Sequence, residues 1–273
     1  MGEEMKKTEI LCDPTLFPHR FAPFLKGATL FDSSCSPQAR VWFIDKEGGY
    51  FLKCSAKGSL AREALLGRYF HKKGLAPAVL DYFSQEEDWL LSAKGRGEDV
   101  TTPLYLADPA RLCDLLAECL HLLHESDFSD CPVKNYTAEY LQRAEENYEK
   151  GLFAPTLLPE EAQSVLPFGA RFSCPEQAWE AAKEGKSLLR ADTLIHGDFC
   201  LPNILFDDWK FSTFIDLGNG GVGDRHIDLF WGAWSLWFNT GKATYAHRFL
   251  DAYGREIVDD ERLRIVSAIE CFG

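Results

Sequence analysis

Two side chains in the segment IHGDFCLPNILF, residues 195–206, have the types and the spacing that could do chemistry. Asp198 is followed five residues later by Asn203, and two short β-rich runs joined by a polar turn occupy residues 204–215. An antiparallel hairpin brings its two ends together, so Asn203 at its entrance should lie beside Asp216 at its exit. A carboxylate and an amide oxygen side by side suit Mg²⁺, which binds a few hard oxygens together with substrate phosphates. Asp198 could then receive a proton from an attacking hydroxyl.

The elements that must position these residues divide the chain into two parts of different character. The first part contains short β-rich runs, among them ARVWFI and YFLKCS, a glycine turn at residues 45–49 and one helical pattern at residues 59–73. Residues 94–97, Lys-Gly-Arg-Gly, are typical of a flexible hinge. We therefore predict an α+β protein of two lobes. Residues 1–94 form a small antiparallel sheet with one helix, and residues 95–273 are mainly helical.

The helices of the second part are indicated by caps and by apolar periodicity. Asp108 followed by Pro109 predicts a helix start, with the aspartate as N-cap. Thr137 is predicted to cap another helix. Further helices are expected at about residues 175–189 and from Asp228 onward.

Composition excludes several classes of protein. The formal net charge of −13 would repel a phosphate backbone, so we expect no nucleic-acid partner and a preference for cationic ligands. No apolar run is long enough to span a bilayer, and the charged N-terminus MGEEMKKTEI is unlike a secretory signal. Nine scattered cysteines form no CxxC pair, which is typical of reduced thiols. A cytoplasmic protein without a membrane partner is expected.

The motifs HGDxxxxN and IDLG, in which Asn203 and Asp216 are thirteen residues apart, resemble the catalytic loop and metal-binding motif of the protein-kinase-like phosphotransferases. More closely, HGDFCLPNILF and STFIDLGNGGVGDRHIDLF resemble the aminoglycoside phosphotransferase family, especially its 3′-phosphotransferase branch. The resemblance implies a bilobal protein-kinase-like fold, MgATP as donor, and phosphoryl transfer to a sugar hydroxyl. It assigns the catalytic base to Asp198 and the Mg²⁺ ligands to Asn203 and Asp216.

The resemblance extends to the nucleotide-binding residues of the first part. It implies that Lys53, at the end of the third strand, holds the α- and β-phosphates and that Glu63 on the following helix orients it by an ion pair. Phe51, two residues before the lysine, matches an aromatic that stacks on adenine. The remaining nucleotide contacts implied are two serines of the SSCSPQ loop and the backbone of the hinge: Ser34, Ser36, Ser92, Ala93 and Lys94.

The acceptor site follows the family less closely. Glu270 and Phe272 resemble its acidic and aromatic C-terminus, although Gly273 extends the chain and could displace a terminal carboxylate. Asn219 stands where the branch commonly carries arginine, and Phe238 where an acidic residue often faces the sugar. These departures leave the phosphoryl-transfer residues intact and bear on the acceptor alone.

Other polar and aromatic residues of this region have structural interpretations. His196 is expected to hold its loop by hydrogen bonds, and the polar side chains of residues 224–228 to brace that loop or cap the next helix. Trp231, Trp234 and Trp237 recur every three residues on one helical face. Core packing is the favoured interpretation of that face, and substrate contact is the alternative.

We therefore predict an enzyme that transfers phosphate from ATP, or GTP, to a small hydroxylated and cationic acceptor, with the 3′-hydroxyl of an aminoglycoside antibiotic favoured. Only eleven residues separate Asp216 from Asp228, too few for a long loop that docks a peptide. Two alternatives stay open. The acceptor could be another hydroxylated metabolite or antibiotic, or the protein could bind nucleotide without turnover. The oligomeric state is not determined by the sequence.

Overall fold

The computed structural model describes residues 8–9, 16–154, 172 and 174–273. The chain divides into two compact units, and neither is continuous in sequence. The first unit consists of the residues up to Glu98 together with Leu205–Asp207 and Ser212–Gly218. The second unit consists of Asp99–Ile204, Asp208–Phe211 and Asn219–Gly273. The division at residues 94 and 95 drawn from the sequence stays a prediction.

A six-stranded antiparallel sheet forms the first unit, with the strand order β1-β2-β3-β4-β6-β5. Its strands are β1 (Thr8–Glu9), β2 (Thr29–Asp32), β3 (Ala39–Asp45), β4 (Tyr50–Ala56), β5 (Val79–Ser84) and β6 (Glu87–Ala93). The turn between β3 and β4 contains Gly48 and Gly49 at φ +100° and +96°, a conformation that favours glycine. The predicted small antiparallel sheet is thus confirmed. One of its faces packs around the buried Phe21, Leu52 and Leu91.

Two helices accompany this sheet, the one-turn α1 (Ala22–Leu25) and the longer α2 (Ala61–Lys72). Helix α2 buries Ala64 with Leu60 and Leu90 in a second apolar cluster. Gly74 follows the helix at φ +73°, as expected of a glycine that terminates a helix. The predicted helix at residues 59–73 is therefore confirmed to within two residues at each end.

The second unit is mainly helical. The α-helices among its described residues are α3 (Pro103–Leu106), α4 (Pro109–His124), α5 (Tyr136–Glu149), α6 (Pro175–Gly185), α7 (Arg225–Thr240), α8 (Ala243–Gly254) and α9 (Asp260–Glu270). Helix α4 begins where predicted, since the Asp108 carboxylate accepts a hydrogen bond from the Arg111 amide. None of the helices in the described part of the chain is long and apolar enough to cross a membrane.

Two helix starts differ from the sequence prediction. Asn135, not Thr137, caps α5, because the Asn135 side chain accepts from the Ala138 amide. The Thr137 hydroxyl instead donates to the Arg190 carbonyl and accepts from the Asp224 amide, so it is used in a tertiary contact. Helix α7 begins at Arg225, three residues before the predicted start.

Short strands frame the segment that carries Asp198 and Asn203. Strand β8 (Thr193–Ile195) precedes it and pairs antiparallel with β11 (Gly221–Gly223). The segment ends in a 3₁₀ turn, Leu201–Asn203, and β9 (Ile204–Asp207) follows directly. Strands β9 and β10 (Lys210–Phe214) are neighbours in a three-stranded sheet completed by β7 (Glu98–Asp99), which confirms the predicted hairpin.

Candidate active site

In the first unit, Lys53 lies between two carboxylates. Its Nζ is 2.8 and 3.0 Å from the carboxylate oxygens of Glu63 and 3.1 Å from Oδ1 of Asp216. The Lys53 side chain is 20% exposed and that of Glu63 is 16% exposed, so the pair is poorly screened by water. Burial opposes the charge of Lys53, but Glu63 and then Asp216 outweigh it, and the pKa of Lys53 is raised above its ordinary value. Lys53 is therefore a positively charged side chain that Glu63 and Asp216 hold in place.

Asp216 has the properties of a ligand for a hard cation. It follows β10 and adopts φ +58°, a backbone conformation uncommon outside glycine and asparagine or aspartate. Its side chain is 53% exposed, and among the described residues only Lys53 donates to it. One carboxylate oxygen is thus available to a metal such as Mg²⁺, which binds through one or two protein carboxylates.

The residues predicted to contact the adenine lie in the central strands of this unit. Phe51 and Lys53 are two apart on β4 and so share one face of the sheet. Phe51 pairs in register with Ser92 on β6. At the end of β6 the Ala93 amide donates to the Ala78 carbonyl, and the Lys94 amide donates to the Gly49 carbonyl. These two hydrogen bonds fix the course of the predicted hinge backbone.

The serines predicted to contact phosphate lie in the exposed loop between β2 and β3. The Ser34 hydroxyl accepts from the Val41 amide, and the Ser34 amide donates to the Asp32 carboxylate. Both groups therefore take part in the loop's own structure. Ser36 forms an isolated bridge with Ala39 and its side chain is exposed.

In the second unit, Asn203 holds Asp198. The Asn203 side-chain amide donates to both the backbone carbonyl and Oδ2 of Asp198, each at 3.0 Å. The Asp198 side chain is half-buried. Both of these bonds use Nδ2. Oδ1 of Asn203 accepts no hydrogen bond from the described residues, so it can face a cation. An oriented carboxylate of this kind suits a group that receives a proton from a bound hydroxyl.

The backbone before Asp198 is fixed by a buried aspartate. Asp228 on α7 accepts hydrogen bonds from the amides of His196, at 2.8 Å, and Gly197, at 2.7 Å. His196 is fully buried, and its Nδ1 accepts from the Asp198 amide at 3.3 Å. The predicted bracing role of Asp228 and the predicted structural role of His196 are both confirmed by these contacts.

Glu270, predicted from the sequence to face the acceptor, is 6% exposed at the end of α9. Its carboxylate accepts from the Tyr140 hydroxyl at 2.7 Å and from the Trp231 indole at 3.1 Å. Burial raises the pKa of Glu270 to about 7, and the negative charge of Asp198 raises it further. The hydrogen bonds from Tyr140 and Trp231 and the positive charge of Arg143 act in the opposite direction. A carboxyl so placed titrates near neutral pH.

The other three predicted acceptor residues have different surroundings. Phe272 is buried and packs edge-on against Tyr148 and Trp179. Asn219 accepts from the Arg143 guanidinium at 3.4 Å. Phe238 is 64% exposed and stacks on Trp234, with ring centroids 4.9 Å apart.

The three tryptophans of α7 lie beside the fully buried face of the helix. Trp231, Trp234 and Trp237 are half-buried, whereas Phe230, Ala233 and Leu236 form the fully buried face. Apolar residues surround the helix, so periodicity alone could not separate the two faces. Core packing and contact with a substrate therefore both stay predictions for the tryptophans.

Several residues of this region carried no usable signal in the sequence. Arg143 and Tyr140 lie one helical turn apart on α5, in an ordinary amphipathic pattern. His124 ends α4 one turn after His121, in an otherwise apolar stretch. Asn219, Glu270 and Asp228, to which Arg143, Tyr140 and His124 bond, are at least 76 positions away in the chain, so only tertiary packing reveals these contacts.

The donor set fits Mg²⁺ better than a transition metal. No group of three or more histidine, cysteine, aspartate or glutamate side chains that could hold a metal occurs in the described part of the chain. The Asp216 carboxylate of the first unit and the Asn203 amide oxygen of the second are each of the hard-oxygen type that Mg²⁺ prefers.

Comparisons with known proteins agree with this chemistry. A profile of the phosphotransferase enzyme family matches residues 28–266. The chain is 46% identical to a probable aminoglycoside 3′-phosphotransferase of Lactococcus lactis, over 94% of this chain and 95% of that protein.

Solved structures share the fold. A crystal structure of an aminoglycoside-3′-phosphotransferase of type VIII superposes with a TM-score of 0.73 at 22% identity, covering 94% of this chain and 100% of that one. An aminoglycoside phosphotransferase of Streptomyces rimosus, in complex with ADP and streptomycin, superposes with a TM-score of 0.68 at 21% identity, covering 85% of this chain and 90% of that one. The predicted α+β, protein-kinase-like fold is confirmed. With its profile match over most of the chain, this protein belongs to the phosphotransferase enzyme family.

Proposed function

We propose that the protein transfers the γ-phosphoryl group of ATP to the 3′-hydroxyl of an aminoglycoside and so confers resistance to the antibiotic. The reaction type is supported by the two hydrogen bonds from the Asn203 side chain to Asp198, which orient the Asp198 carboxylate as a base. The relative of 46% identity, a probable aminoglycoside 3′-phosphotransferase, supports the acceptor and the position of transfer.

Asp198 binds the acceptor hydroxyl and takes its proton as the oxygen attacks phosphorus. The hydrogen bonds from Asn203 hold the carboxylate in one orientation, which lowers the entropic cost of alignment. Phosphoryl transfer depends mainly on positioning of the reacting groups and on neutralisation of the phosphate charge, so few further protein groups are needed.

Lys53 binds the α- and β-phosphates of the nucleotide, and its ion pair with Glu63 keeps it in place. Phe51 stacks on the adenine, and Ser34, Ser36 and the backbone of residues 92–94 complete the nucleotide contacts. The complex of the Streptomyces rimosus enzyme with ADP supports a nucleotide in this role. Mg²⁺, when bound, neutralises phosphate charge. Asp216 and Asn203 are the residues that would hold it.

The test is ADP release from MgATP with a panel of aminoglycosides that includes a 3′-deoxy member. We expect turnover that requires the 3′-hydroxyl. The Asp198→Ala variant should lose about 10²–10⁴-fold in kcat, the usual contribution of a general base, while it still binds ATP. Unchanged turnover in that variant would remove Asp198 from the mechanism.

A second acceptor class is favoured by the side chains around Glu270. The exposed Phe238 stands where the family resemblance implies an acidic residue that faces the sugar. The Glu270 carboxylate is already bonded to Tyr140 and Trp231. The Arg143 guanidinium at Asn219 adds positive charge. These features suit a hydroxylated acceptor with an apolar ring face and few amines.

The same assay separates the two classes when neutral glycosides are added to the panel. Turnover of aminoglycosides alone supports the first proposal. Turnover of neutral glycosides alone, with ATP binding intact, supports the second. Transfer to a 3′-deoxy aminoglycoside would retain the substrate class and replace the 3′ assignment by another hydroxyl.

A further inference from the structure

A chain of buried hydrogen bonds ends at the backbone that carries Asp198. His124, the last residue of α4, has a side chain only 2% exposed. Its Nε2 is 3.1 Å from Oδ2 of Asp228, and its Nδ1 is 2.8 Å from the hydroxyl of Tyr253 on α8. None of these groups is within 25 residues of Asp198 in sequence, so the contact is made by tertiary packing alone.

The direction of each hydrogen bond follows from its partners. A carboxylate only accepts, so Nε2 of His124 must carry the proton and donate to Asp228. Nδ1 then has a lone pair and accepts from the Tyr253 hydroxyl. The Tyr253 oxygen in turn accepts from Arg225, at 3.4 Å. The groups that face His124 are thus Asp228, Tyr253, Arg225 and the neighbouring His121.

The charge state of His124 agrees with this direction. Burial lowers the pKa of His124, with Arg225 and His121 adding to the effect and Asp228 opposing it. A neutral imidazole with one proton can donate on one side and accept on the other, which is what Asp228 and Tyr253 require.

Asp228 connects His124 to the backbone that precedes Asp198. It is fully buried, and its oxygens accept from three N–H groups: the amides of His196 and Gly197 and the ring of His124. A buried carboxylate that loses one of its donors bears a desolvation penalty and shifts to regain a partner. Any such shift moves the two amides that immediately precede Asp198.

We propose that His124 is a positioning residue for phosphoryl transfer, acting as a neutral Nε2–H imidazole that holds Asp228 and thereby the backbone before Asp198. The proposal rests on Asp198 serving as the base. It adds a residue on a different helix, with no contact to either substrate, to the set that determines turnover.

Three variants test this role. His124→Leu removes the donor and should lower kcat by about 10- to 10²-fold, the effect of a displacement on the scale of 1 Å, with the KM for ATP unchanged. His124→Gln places an amide N–H near the position of Nε2 and should restore most of kcat. His121→Leu, three residues earlier on α4, is the matched control, because His121 bonds to the Tyr253 carbonyl and not to Asp228.

Equal loss of kcat in His124→Leu and His124→Gln, or no loss in His124→Leu, would overturn the proposal. If His124→Leu does not fold, ¹⁵N NMR of the unaltered enzyme tests the same hydrogen bonds. A neutral Nε2–H tautomer and a slowly exchanging Gly197 amide are expected, and an Nδ1–H tautomer would contradict them.

The same spectra separate this proposal from the proposed function. If Asp198→Ala leaves turnover unchanged, the base assignment fails, whereas a shifted Gly197 amide in His124→Gln or His124→Leu would still report the coupling through Asp228. An unshifted amide in a folded His124→Leu protein would reject the coupling itself.

Discussion

At the scale of single residues, the distinctive feature of the first unit is one lysine shared by two carboxylates. The Lys53 ammonium group donates to both carboxylate oxygens of Glu63 and to one carboxylate oxygen of Asp216. The pair with Glu63 is mostly shielded from water, where charge-assisted hydrogen bonds are stronger than on a surface. The arrangement keeps the ammonium group in place before any nucleotide arrives.

Replacement of Lys53 by methionine tests this role. The variant keeps the side-chain length but leaves Glu63 and Asp216 without their cation. We expect kcat/KM for ATP to fall by about 10- to 10²-fold, equivalent to the ~1.5–3 kcal/mol of a hydrogen bond to a charged group. Steady-state kinetics measure it. Lys57→Met, at an exposed position beyond the same strand, is the control and should retain the original values.

At the scale of elements, the segment between β8 and β9 is held at both its ends. Asp228 fixes its start through two amides, and the Leu201 amide donates to the Ser235 hydroxyl near its end. Gly197 permits the turn, with φ +80° and no side chain. A Cβ there would overlap the Asn219 carbonyl oxygen, so the close approach of two backbones requires glycine.

Gly197→Ala should therefore destabilise the protein more than replacement of a glycine whose only requirement is a positive φ. Gly74 has φ +73° and open space around its Cα, so Gly74→Ala should cost only the ~1–2 kcal/mol of a left-handed alanine. We expect Gly197→Ala to lower the melting temperature further and to lower kcat, which Gly74→Ala leaves unchanged. Equal melting temperatures for both variants would show that the loop moves aside at little cost.

At the scale of the whole molecule, Glu270 links protein stability to pH. It joins three helices of the second unit, since its carboxylate on α9 bonds to Tyr140 on α5 and Trp231 on α7. Its pKa of about 7 in the folded protein lies above the ordinary 4.5. The folded state thus binds this proton more tightly than the unfolded chain does. The resulting stability is full below about pH 4.5 and is lost as the pH rises through about 7.

We expect the melting temperature of the unaltered protein to fall between pH 5 and pH 8 relative to that of Glu270→Gln, which stays neutral. A pKa difference of this size corresponds to about 3 kcal/mol. Thermal unfolding followed by circular dichroism measures it. The control is Glu261→Gln on the same helix, because Arg264 lowers the pKa of Glu261 and its contribution does not change above pH 5. Parallel curves for Glu270→Gln and the unaltered protein would exclude the linkage.

Local patterns in the sequence were enough to predict the elements and the chemistry of the reaction. Strand alternation, the caps at Asp108 and Gly74, and the interval between Asp198 and Asn203 are such patterns, because each depends on neighbours along the chain. The α+β fold followed from them, and the phosphotransferase family followed from the resemblance of the motifs HGDxxxxN and IDLG to that family. The Asn135 cap was missed because Thr137, an equally good cap by type, is used in a tertiary contact instead.

Which distant side chains meet is a property of the tertiary structure. Tertiary packing assigned Leu205–Asp207 and Ser212–Gly218 to the first unit, buried Glu270, and left the tryptophan face of α7 half-exposed. It also joined His124 to Asp228 across 104 positions of the chain. Such contacts depend on how helices pack, and a periodicity that is fixed within one helix carries no information about its partner.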